Sequence, residues 1–123
     1  MGLSQDQVAL LQEPQIGHVA TVMADGRPQV TPVWVDTDGE ALIFNTAKGR
    51  VKHRNLVRHP YAAVSVVDRN DPYRVALVRG RVEMTEEGAD EHIDRLAKKY
   101  LGVDKYPMRA PGEQRVIVRV VPS

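Results

Sequence analysis

Arg50, Lys52 and Arg54 alternate along NTAKGRVKHRN, residues 45 to 55, within an interval that carries no acidic side chain between Glu40 and Asp68. Lys48, Arg58, His53 and His59 add to the same basic stretch, whereas Glu83, Glu86, Glu87, Asp90, Glu91 and Asp94 crowd a later one. A net charge of only +1 therefore conceals a strong segregation along the chain. The chemistry suited to such a stretch is anion binding. A strand-like run stops at a turn containing Gly49 and gives way to a helix-compatible one. N–H groups at a helix start point outward unpaired, glycine permits close approach, and the Arg50 guanidinium with the Lys52 ammonium can neutralise a phosphate. Arg54, one helical turn beyond Arg50, shares that face. A solvated basic helix has the same composition, and only the strand-turn-helix placement favours a site.

The second chemical signal is GRPQVTPVWVD, residues 26 to 36, where Pro32 interrupts a strand and Trp34, the one tryptophan, follows. Proline removes a ladder donor and needs an edge or an irregularity. An irregular strand leaves backbone groups free to meet a planar heterocycle, with Val33 and Trp34 as apolar cover. Edge protection by Pro32 and a core role for Trp34 explain the same residues. Other chemistries fall away. The chain has no cysteine, and His18, His53, His59 and His92 lack ligand-like spacing, so no metal site is expected. Ser4 and Ser65 sit in no nucleophile elbow, and no GxGxxG or GxxxxGK pattern occurs. Asp36 and Asp68 follow strands and read as turn residues. No catalytic side chain is assigned, so a bound cofactor has to supply the reactivity.

The elements that must position these residues follow from local pattern. Ser4 caps a helix running to Gln12, with Gln7 completing a capping box. Strands are expected from His18, over 29 to 36 and over ALIFNT, joined by Asp25-Gly26 and Asp38-Gly39 turns. A short helix over 50 to 59 precedes strands over 61 to 67 and 73 to 84, the latter bending near Gly80 after an RNDP loop. Thr85 is expected to cap a helix ending near Gly102, with Glu86 and Glu87 in its first turn. A polar loop then leads to RVIVRVV, an interior strand. The sum is a mainly β fold, six antiparallel strands with flanking helices, closed as a β-barrel; an open α+β sheet is the alternative.

At 123 residues the chain suits a single domain over 1–123. It has no basic-then-apolar leader and no apolar run of the ~18 residues that span a bilayer, so a soluble, cytoplasmic protein without membrane association is expected. With 5% aromatic residues and little net charge, nucleic-acid binding is not expected either.

The runs HVATVMADGRPQVTPVWVD, LIFNTAKGRVKHRNLVRHPYAAVSV and YRVALVRGRVEM resemble the pyridoxamine-phosphate-oxidase-like proteins, especially the actinobacterial deazaflavin-dependent oxidoreductases. The resemblance covers roughly residues 6 to 121, and its most specific part is the order DGRPQ, PVW, RxKxRNL, HP. It implies an FMN-binding-like split β-barrel homodimer with two cofactor sites at the subunit interface. By position, Arg50 and Lys52 would bind the cofactor phosphate, and Asn45, Thr46, Ala47 and Gly49 would line its tail. Pro32, Val33, Trp34 and Val35 would flank the ring, with Tyr73 and Arg74 reaching the site from the partner subunit. The implied activity is hydride transfer between coenzyme F420 and a small conjugated or quinone-like acceptor, with FMN as the alternative cofactor. A carrier or sensor that binds F420, FMN or haem without turnover is the competing function. Relatives tend to continue beyond the point of Ser123, so further residues closing the site are an expectation. The carboxyl-terminal features of true pyridoxamine phosphate oxidases are absent, which argues against that specific activity.

Overall fold

Ser4 opens the structure as the sequence dictates. In the computed structural model, which describes residues 2–123, its hydroxyl accepts the Gln7 N–H at 3.1 Å while the Gln7 side chain accepts the Ser4 N–H at 2.9 Å. This capping box starts helix α1 (Gln5–Gln12), which buries Leu10 and Leu11. Strands β1 (Ile16–Val22) and β2 (Pro28–Trp34) form the expected hairpin around Asp25-Gly26. β3 (Asp36–Thr37) and β4 (Leu42–Ala47) form the next, around Asp38-Gly39. Helix α2 (Val51–Arg58) leads to β5 (Tyr61–Asp68) and the 15-residue β6 (Asp71–Thr85). Helix α3 (Ala89–Leu101) and β7 (Arg115–Pro122) complete the chain.

All pairings are antiparallel, in the order β2-β1-β5-β6-β7-β4-β3. The outer strands β2 and β3 are consecutive in the chain, with only Val35 between them. The sheet therefore curls until one irregular stretch serves both edges, first pairing Trp34 with Ile16 and then Asp36 with Ile43. This is the mainly β, split-barrel architecture. The strand count is seven rather than six, because the stretch read as one strand over 29 to 36 breaks at Val35 and changes partner. β6 hands over in the same way: its first part pairs β5, its last part β7, and Gly80 lies opposite both Ala62 and Pro122. A Cβ on Gly80 would sit 1.7 Å from the Val121 carbonyl oxygen, so only glycine fits.

Three further expectations are corrected. Thr85 ends β6 instead of capping α3; Gly88, in left-handed conformation, is the N-cap, and the acidic first turn is Asp90 and Glu91. The RNDP loop shrinks to a tight turn, with Asp71 and Pro72 already in β6. β1 begins two residues before His18. The core runs from Leu10 and Leu11 through Val19, Phe44, Leu56 and Val66 to Val116, Val118 and Val120, all 2% exposed or less. Among the described residues no helix is long and apolar enough to cross a membrane.

Candidate functional site

At the Val35 break, two backbone groups leave the ladder inside the protein, where unpaired they would each cost about 1–3 kcal/mol. Helix α3 supplies their partners. The Tyr100 hydroxyl accepts the Val35 N–H at 2.8 Å and donates to the Gln15 carbonyl at 2.6 Å. The Lys99 ammonium donates to the Val35 and Leu11 carbonyls at 2.7 and 2.6 Å. Burial pushes the Tyr100 hydroxyl up to about 12, so it stays neutral and keeps its proton to donate. The Tyr100 ring stacks on Trp34, centroids 5.2 Å apart and planes 12° off parallel, and Tyr106 meets the same indole edge-on at 5.9 Å. The strand irregularity is thus clamped, and Trp34 is held between two rings.

Beside this wall opens a cleft of about 490 Å³, lined by Pro32, Val33 and Trp34 from β2, Asn45 from β4, Arg50 and Lys52 at the start of α2, and Arg115 at the start of β7. Ile16, Ile93, Leu96, Tyr106 and Met108 supply the remaining apolar surface. That volume lies within the range of small-ligand sites, roughly 300–1,000 Å³. A larger hollow of about 750 Å³ lies on the outer face of the sheet, lined mainly by β1, β5 and β6. It gathers no comparable set of cations, so the smaller cleft is the candidate site.

The polar end of the cleft is a connected network. Asn45 donates to the Ala89 carbonyl and accepts from Arg115 Nε at 2.8 Å, which fixes its amide, so its Nδ2 also donates to His92 Nδ1 at 3.0 Å. Arg115 also donates to Glu113 at 2.8 Å, Arg50 reaches the same Glu113 oxygen at 3.2 Å, and the Arg115 guanidinium lies 5.2 Å from the Tyr106 ring centroid. Lys52 has no carboxylate partner among the described residues. Burial, with Arg50 and Arg115 nearby, holds its ammonium below the usual lysine range. Three cations against one carboxylate leave a surplus of two positive charges. The N–H groups of Val51, Lys52 and His53 in the first turn of α2 have no acceptor among the described residues, and Arg50 provides no side-chain cap.

Six expected residues, Pro32, Val33, Trp34, Asn45, Arg50 and Lys52, therefore converge. The others do not enter the cleft of their own chain. Val35 is fully buried, its side chain seated against Gly17, where a Cβ would come within 2.8 Å. Thr46 and Ala47 are buried in β4, at 0% and 4% exposure. Gly49, with φ +88°, makes the turn into α2, but its N–H goes to His53 and its carbonyl to Arg54. That contact keeps Arg54 on the helix surface. Tyr73 is 94% exposed at the far end of β6, and Arg74 is paired with Glu13 and Asp68 at 2.8 and 2.9 Å. Asp36, read as a turn residue, accepts the Thr37 N–H, and its other oxygen lies 3.7 Å from His92 Nε2, too far for a hydrogen bond. Arg115, Glu113, Tyr106, Met108, Tyr100 and Lys99 were not visible in the sequence. Arg115 opening the β-branched run RVIVRVV was the one available sign.

A family model described as pyridoxamine 5'-phosphate oxidase matches residues 3–122. Two pyridoxine/pyridoxamine 5'-phosphate oxidases are similar: that of Burkholderia multivorans at 37% identity over 95 residues, and that of Methylibium petroleiphilum at 36% over 86. These matches cover 76% and 69% of this chain but 43% and 40% of the relatives, so the chain spans about two fifths of their length. A solved structure titled F420 reductase is 36% identical with a TM-score of 0.84, over 98% of this chain and 96% of that one.

Proposed function

This chain belongs to the pyridoxamine 5'-phosphate oxidase family, and we propose that its cleft holds a phosphate-bearing flavin-type cofactor for an oxidoreductase. Coenzyme F420 is the first choice, FMN the second, and the acceptor is a small conjugated or quinone-like molecule. The observation that carries this reading is the surplus of two positive charges at one end of a cleft whose other end is an apolar and aromatic wall. The phosphate of FMN, a monoester carrying about −1.5 to −2 at pH 7, and the singly charged phosphodiester of F420 both suit the first, and a planar ring matches the second. The likeness to a structure titled F420 reductase, along nearly its whole length, favours the deazaflavin.

In this reading Arg50 and Lys52 hold the phosphate together with the unpaired N–H groups at the start of α2. Arg115, anchored by Asn45, supplies fixed positive potential. Pro32, Val33 and Trp34 flank the ring, and Tyr106 with Met108 screens it from water. When bound, the reduced cofactor supplies the hydride; this chain binds, orients and shields. Among the described residues the cleft lining contains no carboxylate or histidine, and no proton donor is assigned.

The proposed assembly is a homodimer built on the outer sheet face. Val30, Leu77, Val75 and Val67 are 39–69% exposed there, and the register aligns Val30, Ala20 and Ala63 in one row across β2, β1 and β5, and His18, Ser65 and Leu77 in the next across β1, β5 and β6. A contiguous apolar face of this kind marks an interface. Tyr73 and Arg74 would come from the partner's β6.

Replacing Arg50 and Lys52 together by alanine tests the site. Each charge-assisted contact contributes about 1.5–3 kcal/mol, so the double variant should bind F420 or FMN roughly a hundredfold or more weakly. Unchanged affinity in a fluorescence titration would remove the phosphate role.

A further inference from the structure

Among the described residues Glu113 is the only carboxylate that touches the cation cluster, and its position has features of a temporary occupant. It follows Gly112, whose φ of +73° turns the chain, and Lys48 N–H to the Gln114 carbonyl at 2.9 Å ties this turn to the start of α2. The Glu113 side chain is 6% exposed. One oxygen, Oε1, takes both guanidinium bonds, while Oε2 is buried with no partner among the described residues. A buried carboxylate oxygen left unpaired is a costly arrangement, so the site is incompletely satisfied by its own chain.

The two arginines are held unequally. Arg115 is 2% exposed in its side chain and is gripped by Asn45 as well as Glu113, so it stays in place. Arg50 is 47% exposed, its single side-chain bond is the 3.2 Å one to Glu113, and it lines the cleft. We propose that Glu113 is a specificity-determining residue, an internal carboxylate that engages Arg50 in the free protein and yields it to the phosphate of the incoming cofactor. The inference rests on the cleft being the phosphate site. Binding is then an exchange of one anion for another on Arg50. The resident carboxylate penalises anions that engage Arg50 alone, which cannot displace it, and admits a phosphate that also gains Lys52 and the helix start.

Glu113→Gln retains an acceptor oxygen for Arg115 and removes the competing charge. FMN and riboflavin, which differ by the phosphate, are titrated against wild type and variant by flavin fluorescence, with inorganic phosphate followed by thermal shift. The proposal expects FMN and inorganic phosphate to bind roughly tenfold more tightly to E113Q, with riboflavin unchanged. It also expects this gain to vanish in an Arg50→Ala background. Glu113→Asp, which retracts the carboxylate by one methylene, should show part of the gain and serves if E113Q does not fold. Weaker or equal FMN binding in these variants would make Glu113 a brace and overturn the proposal alone, as would a gain that persists without Arg50. A wild type that does not distinguish FMN from riboflavin would overturn the phosphate site and the proposal with it.

Discussion

Lys52 sits half-buried beside two guanidinium groups, and burial together with their charge pulls its ammonium below its ordinary value of 10.5. A bound phosphate would reverse that influence, because the charged form of Lys52 would gain a partner. The sign follows: binding takes up a proton once the pH exceeds the lowered value of the free protein, so affinity falls as pH rises through that value. For FMN, whose phosphate is a monoester, affinity falls again below about pH 6, where the phosphate loses its second charge. FMN affinity measured from pH 5 to 10 should therefore pass through a plateau, and Lys52→Met should abolish the alkaline decline while leaving the acid one. Arg50 and Lys52 were legible in the sequence because a strand, a glycine turn and a helix are local features. Arg115 and Glu113 were not, because the long loop before β7 shows no periodicity that says where it returns. Arg54 does not line the cleft: helical spacing puts it on the face of Arg50, yet a backbone carbonyl of the turn captures its guanidinium.

The break at Val35 is the element on which the ring-binding wall depends, and α3 maintains it from the side opposite in sequence. Tyr100→Phe would keep the ring stacked on Trp34 and remove the hydroxyl that serves Val35 and Gln15. The loss should be about 1–3 kcal/mol of stability, since two buried backbone groups lose their partner. The same variant should weaken flavin binding while leaving inorganic phosphate binding unchanged, which separates the ring wall from the phosphate end; equal loss of both would show a general loosening instead. Sequence pattern located the capping box, the Asp-Gly hairpins and the β-branched runs because each is set within a few residues. It could not show that one run changes partner midway, since alternation is preserved through Val35 while the hydrogen bonds are not. Likewise Thr85, a good cap by type, was overruled by β7, whose ladder carries β6 through to residue 85.

For the whole molecule, the curled sheet leaves an apolar face outside, and this face is the proposed dimer interface. Leu77 is 69% exposed at its centre. Sedimentation should give a dimer for the wild type, and Leu77→Arg should shift it to monomer by placing a charge in a desolvated interface. A wild type that sediments as a monomer at micromolar concentration would remove the interface and, with it, the contribution assigned to Tyr73 and Arg74 of the partner subunit. The barrel class was readable from the succession of short strands and tight turns, but which face remains apolar emerged only from the register.

Trp34 is the only tryptophan in the chain and stands in the cleft wall, so it reports directly on the central claim. The measurement is Trp34 emission during titration with F420, and in parallel with FMN. The account predicts saturable quenching that approaches one cofactor per chain, lost when Arg50 and Lys52 are both replaced by alanine. Cofactor binding that leaves Trp34 emission unchanged, or no binding of either cofactor, would contradict it.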